Sequence, residues 1–480
     1  MGSATTVEMK QRLAIIGNGM AGARFCAELV ARGGADRFDI TIFGEEPGGA
    51  YNRILLSDVL NGSREAGAIE THSLDWFARN NITLRAGEKI TFIDRDEKTL
   101  TSDRGRISHY DSLVLATGSR ALVPPMDGLH SSDGERKKGI FVLRTLADCD
   151  RVANYARKAT RAVVVGGGLL GLEAARGLMQ HGAQVGVVHR SGCLMSAQLD
   201  QSSGDMLRHQ MEMMGINVHL NKATTAILGD ECAQGLAFRD GTELRADMVV
   251  LACGIVPNIE LARDAGFEVN KGIEVDDALR VQGDENTFAI GECAEHQGQV
   301  YGLVAPAWEQ ARVLALRLSG HSPDALYTGS KTSTKLKVMG VELASIGTPR
   351  EAEGDEVVTY AEPSKGRYKK LIIRDNRLKG AILLGDVRKA AVLQQAFDRS
   401  TPLPDERATL FFDIGRATND IADFPDDATV CNCNGVSAGT LRATIQEGAA
   451  SVETLMAQTK AGTGCGTCKS SLKALLAAKG

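Results

Sequence analysis

The sequence has no excess of positive charge. Its formal net charge is −5, so no global basic field draws it to nucleic acid or to an anionic membrane. No apolar run reaches the roughly 20 residues that cross a bilayer. The polar start, Met1-Gly2-Ser3-Ala4-Thr5-Thr6, does not read as a signal peptide. Six cysteines (Cys26, Cys149, Cys193, Cys232, Cys253 and Cys293) stand singly, as small buried hydrophobes do, and form no disulfide framework. These absences lead to the expectation of a reducing cytoplasm. Aromatic residues are sparse at 5%. Residues 1–320 contain no C-x-x-C or C-x4-C pair, which disfavours disulfide exchange there.

Glycine is plentiful, with 53 residues gathered in loops that follow apolar runs. At 480 residues the chain is too long for one core, and two to four domains are expected. Hydrophobic content of 43% and charged content of 24% are ordinary for a globular chain.

Arg12 to Ile16 form a short apolar strand. The turn Gly17-Asn18-Gly19-Met20-Ala21-Gly22 follows, then a helix to about Arg32 and a strand from Asp39 to Phe43. In such a turn the first glycine permits the bend and the second lets the backbone approach a pyrophosphate. The third lets helix and strand pack, and the helix N-terminus faces the anion. Glu45 lies just past the returning strand, where a carboxylate can bind ribose hydroxyls. A second unit starts at Ala162, turns at Gly166-Gly167-Gly168-Leu169-Leu170-Gly171 and returns from Val185 to His189. Glu173 follows that turn, and His189-Arg190 stand where an acid is usual. A carboxylate would repel a 2′-phosphate, whereas His189 and Arg190 can accept one, so NADPH is allowed beside NADH.

Further apolar strands end at Ala116-Thr117-Gly118, at Ala252-Cys253-Gly254 and at Gly291-Glu292. The pattern predicts an α/β fold in which one nucleotide domain carries a second one inserted. From about 330 to 400 the style changes to alternating strands, such as Lys335 to Met339 and Leu371 to Arg374. A polar, Pro-containing stretch runs from Pro402 to Asp427, and helices are expected at Ala438 to Gln446 and Lys469 to Lys479.

The remaining cysteines are Cys431-Asn432-Cys433 and Cys465-Gly466-Thr467-Cys468, with 31 residues between the pairs. C-x-C followed by C-x-x-C puts two thiolates on each of two loops, as a four-cysteine metal or iron–sulfur site requires. Four thiolates also suit tetrahedral zinc.

Two interleaved glycine turns resemble the organisation of the two-dinucleotide flavoproteins, which hold FAD on the first and a nicotinamide cofactor on the second. Ala116-Thr117-Gly118 and Ala252-Cys253-Gly254 resemble that family's two crossover turns, and Thr287 to Glu292 resembles its late FAD motif. That motif usually ends in Gly-Asp, so Glu292 departs from it by one methylene. Glu45-Glu46-Pro47 followed by Tyr51-Asn52-Arg53-Ile54-Leu55-Leu56-Ser57 resembles the flavin segment of ferredoxin reductase-like enzymes. It is most similar to that of NAD(P)H-dependent assimilatory nitrite reductase large subunits and nitrate reductase electron-transfer subunits. The resemblance implies that Arg53 contacts FAD and that Trp308-Glu309-Gln310-Ala311 lies by the far edge of the flavin. The tail resembles the BFD-like module (bacterioferritin-associated ferredoxin-like), which implies a 2Fe-2S cluster on Cys431, Cys433, Cys465 and Cys468.

The implied architecture is two interleaved Rossmann-like dinucleotide-binding domains, an α+β interface domain and a small helical Fe-S domain. Residues 1–120 and 256–325 would bind FAD and 121–255 NAD(P)H. Residues 326–404 would form the interface domain, 405–427 a linker and 428–480 the BFD-like domain. The implied activity is oxidation of NAD(P)H by an FAD protein, with Glu173 helping to place the nicotinamide and electrons leaving through the cluster. Nitrite reductase large subunits continue into a sirohaem portion that this sequence does not show. Terminal reduction is therefore expected on a partner, first an assimilatory nitrate or nitrite reductase catalytic subunit. The rivals are a reductase for ferredoxin or rubredoxin, a flavin and Fe-S redox sensor or scaffold without turnover, and a zinc-bearing binding module.

Overall fold

The computed structural model of the chain describes residues 10–338, 340–412, 424–431, 434–464 and 466–478. The chain forms two compact units. One comprises the chain up to Arg53, Ala66–Arg120 and Ile255–Ser330; the other comprises Ile54–Glu65, Ala121–Gly254 and the chain from Lys331 onward. Among the described residues no helix is long and apolar enough to cross a membrane.

The first unit is built on a five-stranded parallel sheet. Its order is Thr287–Ala289, Ser112–Leu115, Gln11–Ile16, Phe38–Gly44 and Ile82–Ala86. Leu13, Ala14, Ile15 and Ile16 are all buried. Such a continuous apolar run marks a strand covered on both faces, which is why the sheet is parallel. Helix Met20–Val30 buries Phe25, Cys26 and Leu29 and packs along helix Val304–Ser319.

The second unit repeats the plan. Its parallel sheet runs Ile140–Val142, Met248–Leu251, Arg161–Val165, Gln184–Val188 and Asn217–His219. In both sheets the central strand leads into a glycine turn and a helix, here Leu169–Gln180. Ile54–Glu65 belongs to this unit although its sequence neighbours do not. Helix Leu56–Leu60 lies against helices Leu146–Ala156 and Leu169–Gln180. Gly177 makes room for it, because a Cβ there would run into the Leu60 side chain.

An antiparallel sheet follows in the order Ser333–Val338, Val341–Gly347, Arg377–Leu384, Arg367–Arg374 and Glu356–Glu362, with helix Ala390–Arg399 packed on it. Asp200, the cap of helix Gln201–Met213, ties this sheet to the part of the unit built on the second parallel sheet. It accepts hydrogen bonds from Tyr368 Oη at 2.7 Å and Lys370 Nζ at 3.1 Å. The stretch read as a linker from 405 begins packed, since Leu410 and Phe411 are buried in the core of this sheet.

Inside that core Lys369 is 2% exposed. Its ammonium donates at 2.9 Å to Asp386 Oδ2 and at 2.9 Å to the Phe411 carbonyl. Arg388 donates to the same carboxylate from Nε and Nη2. The Arg388 bonds first, and then Lys369, hold the Asp386 carboxyl below the usual range against the opposing effect of burial.

Removing the anion strands the ammonium, and an uncompensated buried charge costs about 3 kcal/mol. Asp386→Ala should therefore lower the urea midpoint clearly. Lys369→Met, which leaves Asp386 its arginine, should cost only about 1 kcal/mol. A depressed carboxyl stabilises the fold above its ordinary pKa of 3.8 and ceases to do so as the pH falls below it. The gap between parent and Asp386→Ala should accordingly narrow in acid.

Candidate functional site

The first glycine turn is fixed by backbone contacts. Gly17 N–H donates to the Phe43 carbonyl at 2.8 Å and Ala116 N–H to the Ile16 carbonyl at 2.8 Å. Gly17 sits at φ +117°, and a Cβ there would collide with the Ala116 carbonyl oxygen. A Cβ on Gly22 would collide with the Gly17 carbonyl oxygen. Gly19 differs. Its φ is −84°, open to any residue, and a Cβ there would meet nothing within 4 Å. Among the described residues nothing demands that glycine, so the space in front of the N-terminus of helix Met20–Val30 is what it keeps clear. Among the described residues no side chain caps that terminus. The second turn reproduces every feature. Gly166 N–H donates to the Val188 carbonyl at 2.8 Å and Ala252 N–H to the Val165 carbonyl at 2.8 Å. Gly166 and Gly171 are blocked as Gly17 and Gly22 are, while Gly168 faces open space ahead of helix Leu169–Gln180.

Both turns thus present a helix N-terminus and an open backbone, the arrangement that binds a pyrophosphate. Met20 and Ala21 open the first helix, and Leu169 and Leu170 the second. In the first turn Asn18 Oδ1 is buried without a partner among the described residues, an acceptor left for a ligand donor. These observations fit a dinucleotide at each turn.

The matched hydrogen bonds make Phe43 the counterpart of Val188, hence Gly44 that of His189 and Glu45 that of Arg190. The charge beyond the returning strand is therefore reversed between the two sites. Glu45 is exposed and lies 3.0 Å from Lys89 Nζ. Arg190 is exposed. His189 Nδ1 accepts from Gly167 N–H at 3.1 Å, so that nitrogen carries no proton. Burial first, and then Arg190, push the imidazole pKa down. His189 is the neutral member of the pair and Arg190 carries the charge. Glu173 is half-buried in the second turn of its helix.

Around the first turn the motif at Gly291-Glu292 closes in. Gly291 N–H donates to Gln310 Oε1 at 2.7 Å, and a Cβ on Gly291 would crowd Ala21. Glu292 accepts the Ser119 hydroxyl at 2.6 Å. Gly118 has φ +66°, and Thr117 and Asn258 exchange hydrogen bonds at 2.8 Å each. Its counterpart Gly254 has φ +118°, and its carbonyl accepts from Leu122 N–H at 2.9 Å. Glu309 accepts the Ser330 hydroxyl, and Arg24 lies 5.1 Å over the Trp308 ring. Arg53 Nη2 donates to Glu46 Oε1 at 2.5 Å, and Tyr51 Oη donates to the other oxygen at 2.7 Å. Glu46 holds Arg53 in place, a role not visible in the sequence, where it is one of two adjacent acids.

In the tail, Cys431 ends strand Thr429–Cys431 and Cys468 precedes helix Lys469–Ala477. Both are buried in one small core with Leu441, Leu455 and Leu472. Cys433 and Cys465, the other two expected ligands, lie outside the described residues. Asn434 follows Cys433 and donates to the Lys460 carbonyl at 2.6 Å and to Thr463 Oγ1 at 3.2 Å. The two cysteine-bearing loops are thereby joined, and Cys468 sits at the positive end of a helix, where thiolate charge is favoured. Of the four expected thiolate donors, Cys431 and Cys468 are thus brought into one core among the described residues.

The sequence model of the pyridine nucleotide-disulphide oxidoreductase family matches residues 11–311. That of the rubredoxin NAD+ reductase C-terminal domain matches 333–401, and that of the BFD-like [2Fe-2S] binding domain matches 429–478. A nitrite reductase [NAD(P)H] of Bacillus subtilis (strain 168) is 40% identical over 97% of this chain and 57% of its own length. An assimilatory nitrate reductase electron transfer subunit of the same organism is 39% identical over 97% of this chain and 59% of its own. The chain thus spans somewhat over half the length of these relatives. Among solved structures, a ferredoxin reductase from Rhodopseudomonas palustris superposes with a TM-score of 0.72 at 25% identity, covering 82% of this chain and 96% of its own.

The two kinds of glycine should separate on mutation. Gly22→Ala forces helix and strand apart and should cost about 1–3 kcal/mol in thermal unfolding of the apoprotein. Gly19→Val should unfold like the parent as apoprotein yet purify with little flavin, as read from absorbance near 450 nm.

Proposed function

The chain belongs to the pyridine nucleotide-disulphide oxidoreductase family, and from that premise we propose that it oxidises NAD(P)H and delivers electrons to an assimilatory nitrate or nitrite reductase catalytic subunit. The first glycine turn would hold FAD, the second NAD(P)H and the tail cysteines a 2Fe-2S cluster; when bound, these groups would supply two-electron uptake and single-electron release. The observation that carries the reading is that Gly19 and Gly168 face open space that no contact among the described residues explains.

The chain's own groups bind and orient. Gly17, Gly19, Met20, Ala21 and Gly22 cradle the FAD pyrophosphate, and Glu45 takes ribose hydroxyls. Arg53, braced by Glu46, meets the flavin side. Ala116, Thr117, Gly118, Gly291, Glu292 and Glu309 complete that pocket. Gly166, Gly168, Leu170, Gly171 and Gly254 hold the nicotinamide dinucleotide, and Glu173 helps to place its ring. Arg190 supplies the positive charge for a 2′-phosphate, and neutral His189 supplies a ring nitrogen. Cys431, Cys433, Cys465 and Cys468 hold the cluster. In domain terms, residues 1–120, less the Ile54–Glu65 segment that packs in the second unit, and 256–325 serve FAD, 121–255 NAD(P)H, 326–404 with the buried Leu410 and Phe411 the interface, the rest of 405–427 a link and 428–480 the cluster. The reading puts the protein in the cytoplasm. Four of its six single cysteines are buried as expected, and burial pushes the Cys149 thiol up to about 12 and that of Cys193 up to about 11, whereas Cys253 is half-buried and Cys232, against the expectation, is exposed.

With the purified chain and NADH or NADPH, electrons should reach such a reductase. Rapid reduction of a free ferredoxin or rubredoxin with none of that reductase would overturn the proposed acceptor. Cys468→Ser should bleach its flavin with NAD(P)H close to the parent's rate in stopped flow, while delivery to the acceptor falls about tenfold or more. Arg190→Glu should raise KM for NADPH by about tenfold to a hundredfold, the worth of a charge-assisted hydrogen bond, and barely alter KM for NADH.

A further inference from the structure

Arg64 belongs to neither glycine turn and to no cysteine motif, yet it reaches the tail. Its Nη2 donates at 2.9 Å to the carbonyl of Thr463, across a sequence separation of 399 residues. Thr463 stands two residues before Cys465. The same guanidinium donates from Nε to Asp58 Oδ2 at 3.0 Å, and the Arg64 backbone N–H donates to the Asp58 carbonyl at 3.1 Å. Asp58 lies in helix Leu56–Leu60, which is anchored by packing around Leu60. Arg64 is therefore held from behind and presents its cation to the loop between Lys460 and Cys468. On that loop the Thr463 hydroxyl donates to the Lys460 carbonyl at 2.7 Å and accepts from Asn434, the neighbour of Cys433. One chain of hydrogen bonds thus runs from Asp58 through Arg64 and Thr463 to the residue beside a second cysteine.

We propose that Arg64 is a positioning residue for the 2Fe-2S cluster, and that with Asp58 it sets the cluster's reduction potential through its charge at the Thr463 carbonyl. This rests on the reading that the tail carries the cluster. Four thiolates make such a centre anionic, and it gains one electron on reduction, with no bond formed or broken in the protein. A fixed cation beside the loop favours the reduced form, and an anion disfavours it. The two partners therefore pull in opposite directions, which a merely structural contact would not do.

The test is a potentiometric titration of the full chain, followed by electron paramagnetic resonance, with iron and acid-labile sulfide measured on each sample. Arg64→Gln leaves Asp58 unopposed, so its reduced-to-oxidised ratio at a fixed poise should fall about threefold to tenfold. Asp58→Asn leaves the guanidinium unopposed, and the ratio should rise. Arg64→Lys keeps the charge and should stay near the parent. Shifts of the same sign in Arg64→Gln and Asp58→Asn, or no shift in either, overturn the proposal. Should Arg64→Gln lose its iron, the other two variants decide: a rise in Asp58→Asn with Arg64→Lys near the parent upholds it, and any other result overturns it. A parent chain without labile sulfide removes the cluster reading itself, whereas a loaded parent with unmoved variants removes only the role of Arg64.

Discussion

Each dinucleotide unit depends on a contact too close for any side chain, that of the third glycine of the turn on the carbonyl of the first. Gly22 on Gly17 and Gly171 on Gly166 let the helix start directly over the end of the central strand. Among the described residues no side chain caps that helix start in either unit. Each sheet brings a second strand end alongside, at Ala116 and at Ala252, to close the turn from the other side. A protein built this way has the shape of both glycine turns specified by packing alone.

The two units share that frame and differ in what lies on it. Asn18 packs over Gly44 in the first, whereas His189 packs over Gly167 in the second, so the bulky partner has changed sides. One position further on, past the end of the returning strand, the first unit has Glu45 where the second has Arg190. The same backbone thus carries an acid beyond one turn and a base beyond the other, and the proposed difference between the two nucleotide sites rests on that exchange.

Much of this was visible in the sequence because it rests on local rules. The glycine turns require glycine for steric reasons, the parallel strands are apolar throughout because both faces are covered, and the paired cysteines stand out by spacing. Family membership, fold and cofactor set followed from those signals. What escaped was tertiary. Nothing within Ile54–Glu65 says that it leaves one unit for the other; the evidence is the fit of Leu60 against Gly177 far along the chain. Helix Ala390–Arg399 begins without a side-chain cap and so carried no start signal. Helix Val452–Thr459 did carry one, since Ser451 accepts from Thr454 N–H, but it is short and lies among small residues. Leu410 and Phe411 sit in a polar, acidic stretch that reads as a link, and only the sheet they cover reveals them as core. Asn434 and Arg64 gain their meaning from partners distant in sequence.

The interleaving bears on the order in which the protein comes off the ribosome. The first sheet has four strands by Leu115, but its edge strand is Thr287–Ala289. Translation at about 5–20 residues per second leaves the nascent sheet open along that edge for roughly ten seconds or more. In that interval the second sheet, complete by Leu251, emerges whole and takes up the already waiting Ile54–Glu65 segment. The second parallel sheet is thus the first that can close, although its unit goes on from Lys331, and the sheet begun earliest is the one that must wait.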